Sequence, residues 1–277
     1  MKKIIIAILL LITLYYFYKF LKKERENFIN YDLSYATNAT NLKECKVIFL
    51  TENETKQFIL QDSDTYIYNL SQWDLIARKA ASNDEYRTAA AASAINFSDS
   101  QKERFRRAAA LADAFFRRLD LNTNANTSIS SIDGNKIAEI PWIFAQTRGQ
   151  KYEDGLPHTR SNVIFISSII NETEDHLVKT FIHEKIHVYE RMYPEDMNVY
   201  LQNNGFIRSK RRYGIPRIRA NPDLDTWVYF NEITQKDMLA LYSCDEPHNI
   251  TDVILNDPAY EHPYELLAYK IAGMYNT

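Results

Sequence analysis

Residues 171–192, NETEDHLVKTFIHEKIHVYERM, place two demands on one stretch of chain. Leu177, Phe181, Ile182, Ile186 and Tyr189 recur at the three- and four-residue spacing of an α-helix with an apolar stripe. Asn171 or Thr173 supplies an N-cap, and Asn171 with Glu174 has the spacing of a capping box. Within the stripe lies His183-Glu184-Lys185-Ile186-His187. Positions i and i+4 of a helix stand one above the other, so both imidazoles can reach one Zn²⁺ ion at about 2.0–2.1 Å. Glu184 stands beside that point, where its carboxylate can take a proton from water touching the metal. Two histidines on a solvated helix face are the plain alternative. The apolar stripe bracketing the motif argues against it, because semi-buried imidazoles need partners.

A catalytic zinc site takes three protein ligands and keeps a fourth position open, so another group must come from elsewhere. Asp257 to Tyr269 offers one. Pro263 suits the first turn of a helix running through Leu266, Leu267, Tyr269, Ile271 and Ala272, and Glu265 is a carboxylate on that first turn. Interaction with the helix N-terminus is its alternative use. Ala268, three residues on, leaves room for the motif helix to pack closely. His262 is the second choice of ligand, while Glu190 and Glu195 lie too near the motif. A hydrolytic site also needs a donor opposite Glu184, and His262, Tyr264 and Arg219 are the candidates.

His183-Glu184-x-x-His187 followed by a distant helical Glu265 resembles the zincin metallopeptidases of the glutamate-third-ligand (gluzincin) type. The resemblance covers roughly residues 140–277, with further support from Pro263-Tyr264-Glu265-x-x-Ala268. Thr180 to His187 is also similar to the zinc peptidases of large double-stranded DNA viruses. These likenesses imply an α+β, predominantly helical fold with a short β-sheet beside the motif helix. They imply one Zn²⁺ per chain on His183, His187 and Glu265, with Glu184 as general base and a peptide or protein substrate. In the family, the strand before the motif helix is the edge along which an extended peptide docks. Val163, Ile164, Phe165, Ile166 and Ser167, a β-branched run, stand where that strand should be. Two departures matter. Tyr193 stands where metzincins carry a third histidine, which excludes that subclass. Tyr269 stands where thermolysin-like enzymes carry an acid, so no residue is assigned to orient a motif histidine.

The other end of the chain has a different character. Ile4 to Tyr18 is uncharged and flanked by Lys2 and Lys3 before it and by Lys19, Lys22, Lys23 and Arg25 after it. Counted to Leu21, the run is about 18 residues, near the lower limit for spanning a bilayer. No small-residue cleavage site follows, so it reads as an uncleaved single-pass anchor before a soluble C-terminal part. The viral likeness would make the membrane that of a virion or its host. The flanking charges lean toward a cytoplasmic C-terminal part. Seven N-x-[ST] sequons, at Asn38, Asn53, Asn69, Asn96, Asn126, Asn171 and Asn249, lean the other way. The expected organisation is an anchor over 1–25 (span about 4–21), a stalk over 26–45, a mostly helical subdomain over 46–135 and a zincin-like region over 136–277.

Within the helical subdomain, Phe105, Ala108, Leu111, Phe115 and Leu119 form the apolar stripe of a helix capped at Ser98, Asp99 or Ser100. The two cysteines, Cys45 and Cys244, read as buried free thiols. Lys+Arg 33 against Asp+Glu 36 leaves no basic excess, which disfavours nucleic acid as a partner. Residues 208–219 carry six cations, Arg208, Lys210, Arg211, Arg212, Arg217 and Arg219. They read as a surface loop, with a patch for anionic lipid or nucleic acid, or an arginine lining the site, as the alternatives. Asp223 and Asp225 read as turn caps, with carboxylates that support the metal ligands as the alternative. A membrane-anchored structural or interaction protein, with a bracing zinc or no metal, is the competing function.

Overall fold

The apolar runs Trp142–Ala145 and Val163–Ile166 leave no polar side for solvent, so each strand needs cover on both faces. In the computed structural model, which describes residues 46–119, 129–258 and 260–275, they are neighbouring parallel strands inside one sheet. The expected anchor (1–25), the stalk (26–45), Cys45 and residues 121–128 of the turn-rich stretch lie outside the described residues. Among the described residues no helix is long and apolar enough to cross a membrane.

The sheet contains β1 (Val47–Phe49), β2 (Ala94–Ile95), β3 (Trp142–Thr147), β4 (His158–Arg160) and β5 (Val163–Ser167), in the order β1-β3-β5-β4 with β2 on β3. β1, β3 and β5 are parallel, and β4 closes one end antiparallel to β5. Alternate side chains serve two cores, as the strand period requires. Trp142, Phe144, Ile164 and Ile166 face one, and Ile143, Ala145, Val163 and Phe165 face the other.

The chain is α+β, with more helix than strand among its described elements. The helices α1 (Glu52–Gln61), α2 (Gln72–Ala77) and α3 (Asn83–Ala92) lie between β1 and β2 in sequence, and α1 and α3 feed the second core. The first core takes α4 (Asp99–Arg118), α5 (Gly134–Glu139), the motif helix α6 (Glu174–Met192), α7 (Pro194–Asn203) and α8 (Pro263–Ala272). Phe105 and Phe116 thus share a core with Phe181 and Leu267, across residue 135. A three-stranded antiparallel sheet of β6 (Phe206–Arg211), β7 (Trp227–Asn231) and β8 (Lys236–Met238) follows α7, and β9 (Ala240–Tyr242) pairs with β10 (Val253–Leu255).

Several expectations need correction. Val163–Ser167 is not an edge: it is buried along its length and bonded to β3 on one side and β4 on the other. An all-apolar strand is most stable in the interior, and the end position falls to the polar triplet His158-Thr159-Arg160. The α4 stripe is Phe105, Ala108, Ala109, Ala112 and Phe116, whereas Leu111 is 41% exposed. The alanines give α4 a flat face where it packs on α6. Cys244 is free but exposed. The six cations of 208–219 do not share one surface. Lys210 pairs with Asp237, Arg211 lies over the Trp227 ring, Arg212 is buried against the Arg219 carbonyl and Arg219 pairs with Glu261.

On the sheet side of α6, the buried Lys185 ammonium donates to Asp113 Oδ1 at 2.6 Å and lies 4.1 Å from the Trp142 ring centroid. Trp142 Nε1 donates to the same oxygen at 3.1 Å. Breaking a buried pair from one side strands a charge, whereas replacing both partners by apolar groups does not. Asp113→Leu or Lys185→Met alone should cost about 3–5 kcal/mol in urea unfolding, and the double variant distinctly less. Single variants within about 1 kcal/mol of the parent would remove the pair as a stabilising contact.

His158 stacks on Phe165 with ring centroids 5.1 Å apart and donates from Nδ1 to the Leu156 carbonyl. Burial pushes its pKa down to about 4, against the opposing pull of Glu153. The unfolded chain therefore takes up a proton below about 6.5 that the folded chain refuses. The share of His158 is a loss of about 2–3 kcal/mol between pH 6.5 and 4.5, so over that interval the parent should lose that much more stability than His158→Gln. Glu153, where burial pushes up but Arg78 draws the carboxylate down to about 2, adds its own loss only at lower pH. An unchanged slope in the variant would acquit His158.

Candidate metal centre

Thr173, not Asn171, caps α6, its hydroxyl accepting the His176 N–H. From Phe181 to Glu190 the helix is buried on nearly every side, so its polar side chains must find partners inside the protein. α8 starts at Pro263 and crosses α6, with Leu267 and Ala268 fully buried at its centre. Glu265 on its first turn thereby meets the histidines of the motif.

His183 Nε2, His187 Nε2 and Glu265 Oε2 form a triangle with sides of 3.1, 3.4 and 4.0 Å. The point equidistant from such a triangle lies about 2.1 Å from each atom, within the range of metal–nitrogen and metal–oxygen bonds. The group can therefore hold a metal ion. Its surroundings prepare it for one. His187 Nδ1 lies 2.8 Å from Glu190 Oε2. With Nδ1–H donating to that oxygen, the Nε2 lone pair points into the triangle. Glu265 Oε1 accepts from Asn221 Nδ2 at 2.9 Å, which leaves Oε2 toward the histidines. The Tyr269 ring meets His183 edge-on, with centroids 4.5 Å apart.

Electrostatics separates the buried carboxyls. At Glu265, burial alone would raise the pKa, but His183, His187 and Arg219 outweigh it and hold the group well below the usual range. At Glu184, burial pushes the pKa up to about 8, aided by the Glu265 charge and opposed by the Thr159 hydroxyl and Arg191. Thr159 Oγ1 donates to Glu184 Oε2 at 2.7 Å. Burial pushes Glu190 and Asp223 up as well. One carboxylate held ionised beside another tuned toward neutrality is an arrangement typical of acid–base sites.

The triangle opens on a cleft of about 630 Å³ lined by His183, Glu184, Glu265, Arg219, Asn221 and Tyr269, among others. His262 is not part of it. Its Nδ1 accepts the Tyr264 N–H as the cap of α8, and its Nε2 lies 3.2 Å from Asp225, so neither nitrogen is spare for a ligand or a substrate. Tyr264 packs against His262 and Tyr229 away from the cleft lining. Arg219 does reach the cleft, paired with Glu261. On β4, Thr159 turns its free backbone groups away from β5, but the chain has already taken them. Its N–H donates to Asp223 Oδ1 at 2.6 Å and its carbonyl accepts from Arg191 at 3.3 Å.

Sequence reasoning missed Thr159 and Asn221, weighed Glu190 only as a ligand and took Tyr269 only as a missing acid. The i, i+3 spacing of His187 and Glu190 and the i, i+4 spacing of Glu265 and Tyr269 carried a signal. Thr159 and Asn221 carried none. Compared with protein-family models, with curated proteins and with solved structures, the chain has no match.

If the triangle is the ligand set, His187→Ala and Glu265→Ala should each lose the divalent metal found in the parent by elemental mass spectrometry. His262→Ala should keep it. Metal retained without Glu265, or lost without His262, would move the third ligand.

Proposed function

We propose that the chain is a zinc-dependent peptidase tethered to a membrane by residues 1–25. The observation that carries this reading is the opening of the His183–His187–Glu265 triangle onto a cleft whose wall also presents the Glu184 carboxyl. Two imidazoles and one carboxylate make a donor set that suits zinc and leaves a position open. The likeness of the motif to gluzincins supports the same view.

Bound to that set, Zn²⁺ would supply positive charge that polarises a carbonyl and acidifies water. The chain supplies the rest. Glu184, with Oε2 fixed by Thr159, takes a proton from water in the cleft and delivers it to the amine that leaves the broken bond. Tyr269 covers His183, and Arg219 lies along the cleft with Glu261 beside it. A substrate peptide lies in the cleft between α6, α8 and residues 219–223. Strand addition to β4 would first have to displace Asp223 and Arg191 from Thr159. A bracing zinc in a structural protein would need no cleft over the metal, and the cleft here favours catalysis over that alternative.

Glu184→Gln should lower hydrolysis of a mixed peptide library by at least about 10²-fold, followed by mass spectrometry, while metal content stays at the parent level. A fully active variant would remove Glu184 from the reaction. A zinc-loaded parent that cleaves nothing in the library would defeat the peptidase reading.

A further inference from the structure

The connection from β6 to β7, residues 212–226, is closed at its base by the pairing of Arg211 with Trp227. Its far end, Arg219 to Asp223, lies along the cleft. That stretch is pinned from two sides: Arg191 Nη2 donates to the Pro222 carbonyl at 2.6 Å, and Asp223 holds the Thr159 N–H. Asn221 immediately precedes these two fixed points, and every polar atom of its side chain is committed. Oδ1 accepts the Asp223 N–H at 2.9 Å, closing a local turn. That bond settles which end of the amide is oxygen, so Nδ2 must be the atom facing the carboxylates. Nδ2 donates to Glu261 Oε1 at 2.7 Å and to Glu265 Oε1 at 2.9 Å. Glu261 is in turn paired with Arg219.

We propose that Asn221 is a positioning residue for the metal centre: its amide reserves Glu265 Oε1, so that Oε2 alone is presented beside His183 and His187. This inference rests on the metal reading above but not on peptidase activity. The physical reason is geometric. A glutamate side chain has three rotatable bonds and two equivalent oxygens, and without a second contact it presents either or both to a cation. Groups that orient ligands in this way change metal affinity by about 10- to 100-fold when removed. Glu190 does this for His187 from the same helix, whereas Asn221 does it for Glu265 from a loop fixed independently of α8.

The test measures zinc affinity by competition with a chromophoric chelator, and the visible absorption of the Co²⁺-substituted protein, in the full chain. Asn221→Asp keeps an oxygen for the Asp223 N–H but has no donor for Glu265. Asn221→Leu keeps the volume and loses both. Both variants should bind zinc about 10- to 100-fold more weakly than the parent, with an altered Co²⁺ spectrum. The metal-free Asn221→Leu protein, which adds no charge, should melt within a few degrees of the parent, which separates positioning from general loosening. Affinities within twofold of the parent and an unchanged spectrum in both variants would overturn the assignment while leaving the metal centre standing. A parent that binds neither zinc nor Co²⁺ would overturn the metal centre itself, and this inference with it.

Discussion

The Lys185–Asp113 contact decides which way the motif helix faces. Lys185 follows Glu184 by one residue, so the two side chains leave α6 about 100° apart. Anchoring the ammonium to Asp113 and Trp142, between α4 and β3, fixes the roll of α6 about its axis. With the roll fixed, His183 and Glu184 can only point toward α8 and the cleft. An apolar contact there would have held the helix at a given depth but tolerated rotation. An ion pair sharing an oxygen with an indole N–H does not, because any rotation would strand a charge in a dry core.

The site built on that face is a concentration of buried acid. Glu184, Glu190, Asp223 and Glu265 all lie in the low-dielectric interior around the two histidines, and each is disfavoured as an anion by burial. Arg191 and Arg219 offset part of that charge. Arg191 also donates to the carbonyls of His187, Thr159 and Pro222, tying the motif helix, β4 and the cleft loop together. A divalent cation would be the largest local charge in such a place and would reverse the electrostatic preference of the carboxyls around it.

What the sequence made legible follows from where each signal lies. His183, Glu184 and His187 sit within little more than one turn of a helix, so their common direction is a local fact. Glu265 stood out as a carboxylate on an otherwise apolar first turn. The strand Val163–Ser167 was legible as a strand but not as an interior one, because neighbour order in a sheet is set by distant pairing. His262 attracted attention as a histidine beside the candidate ligand, and only the folded chain reveals that both its nitrogens are spent. Glu190 was visible but judged only as a ligand, when its spacing suited the support of one. Asn221 and Thr159 reach the site from loops and strands whose placement no local pattern encodes.

The separation of Glu265 from the histidines sets an order of events when the chain is made. In synthesis from the N-terminus at roughly 5–20 residues per second, the nearly 80 residues between His187 and Glu265 take about 4 to 16 s to appear. Through that interval the two imidazoles exist without their carboxylate, and Asn221 emerges before the group it holds. The full triangle of donor atoms is therefore among the last features of this region to be completed. A cation captured earlier would meet only two of the three.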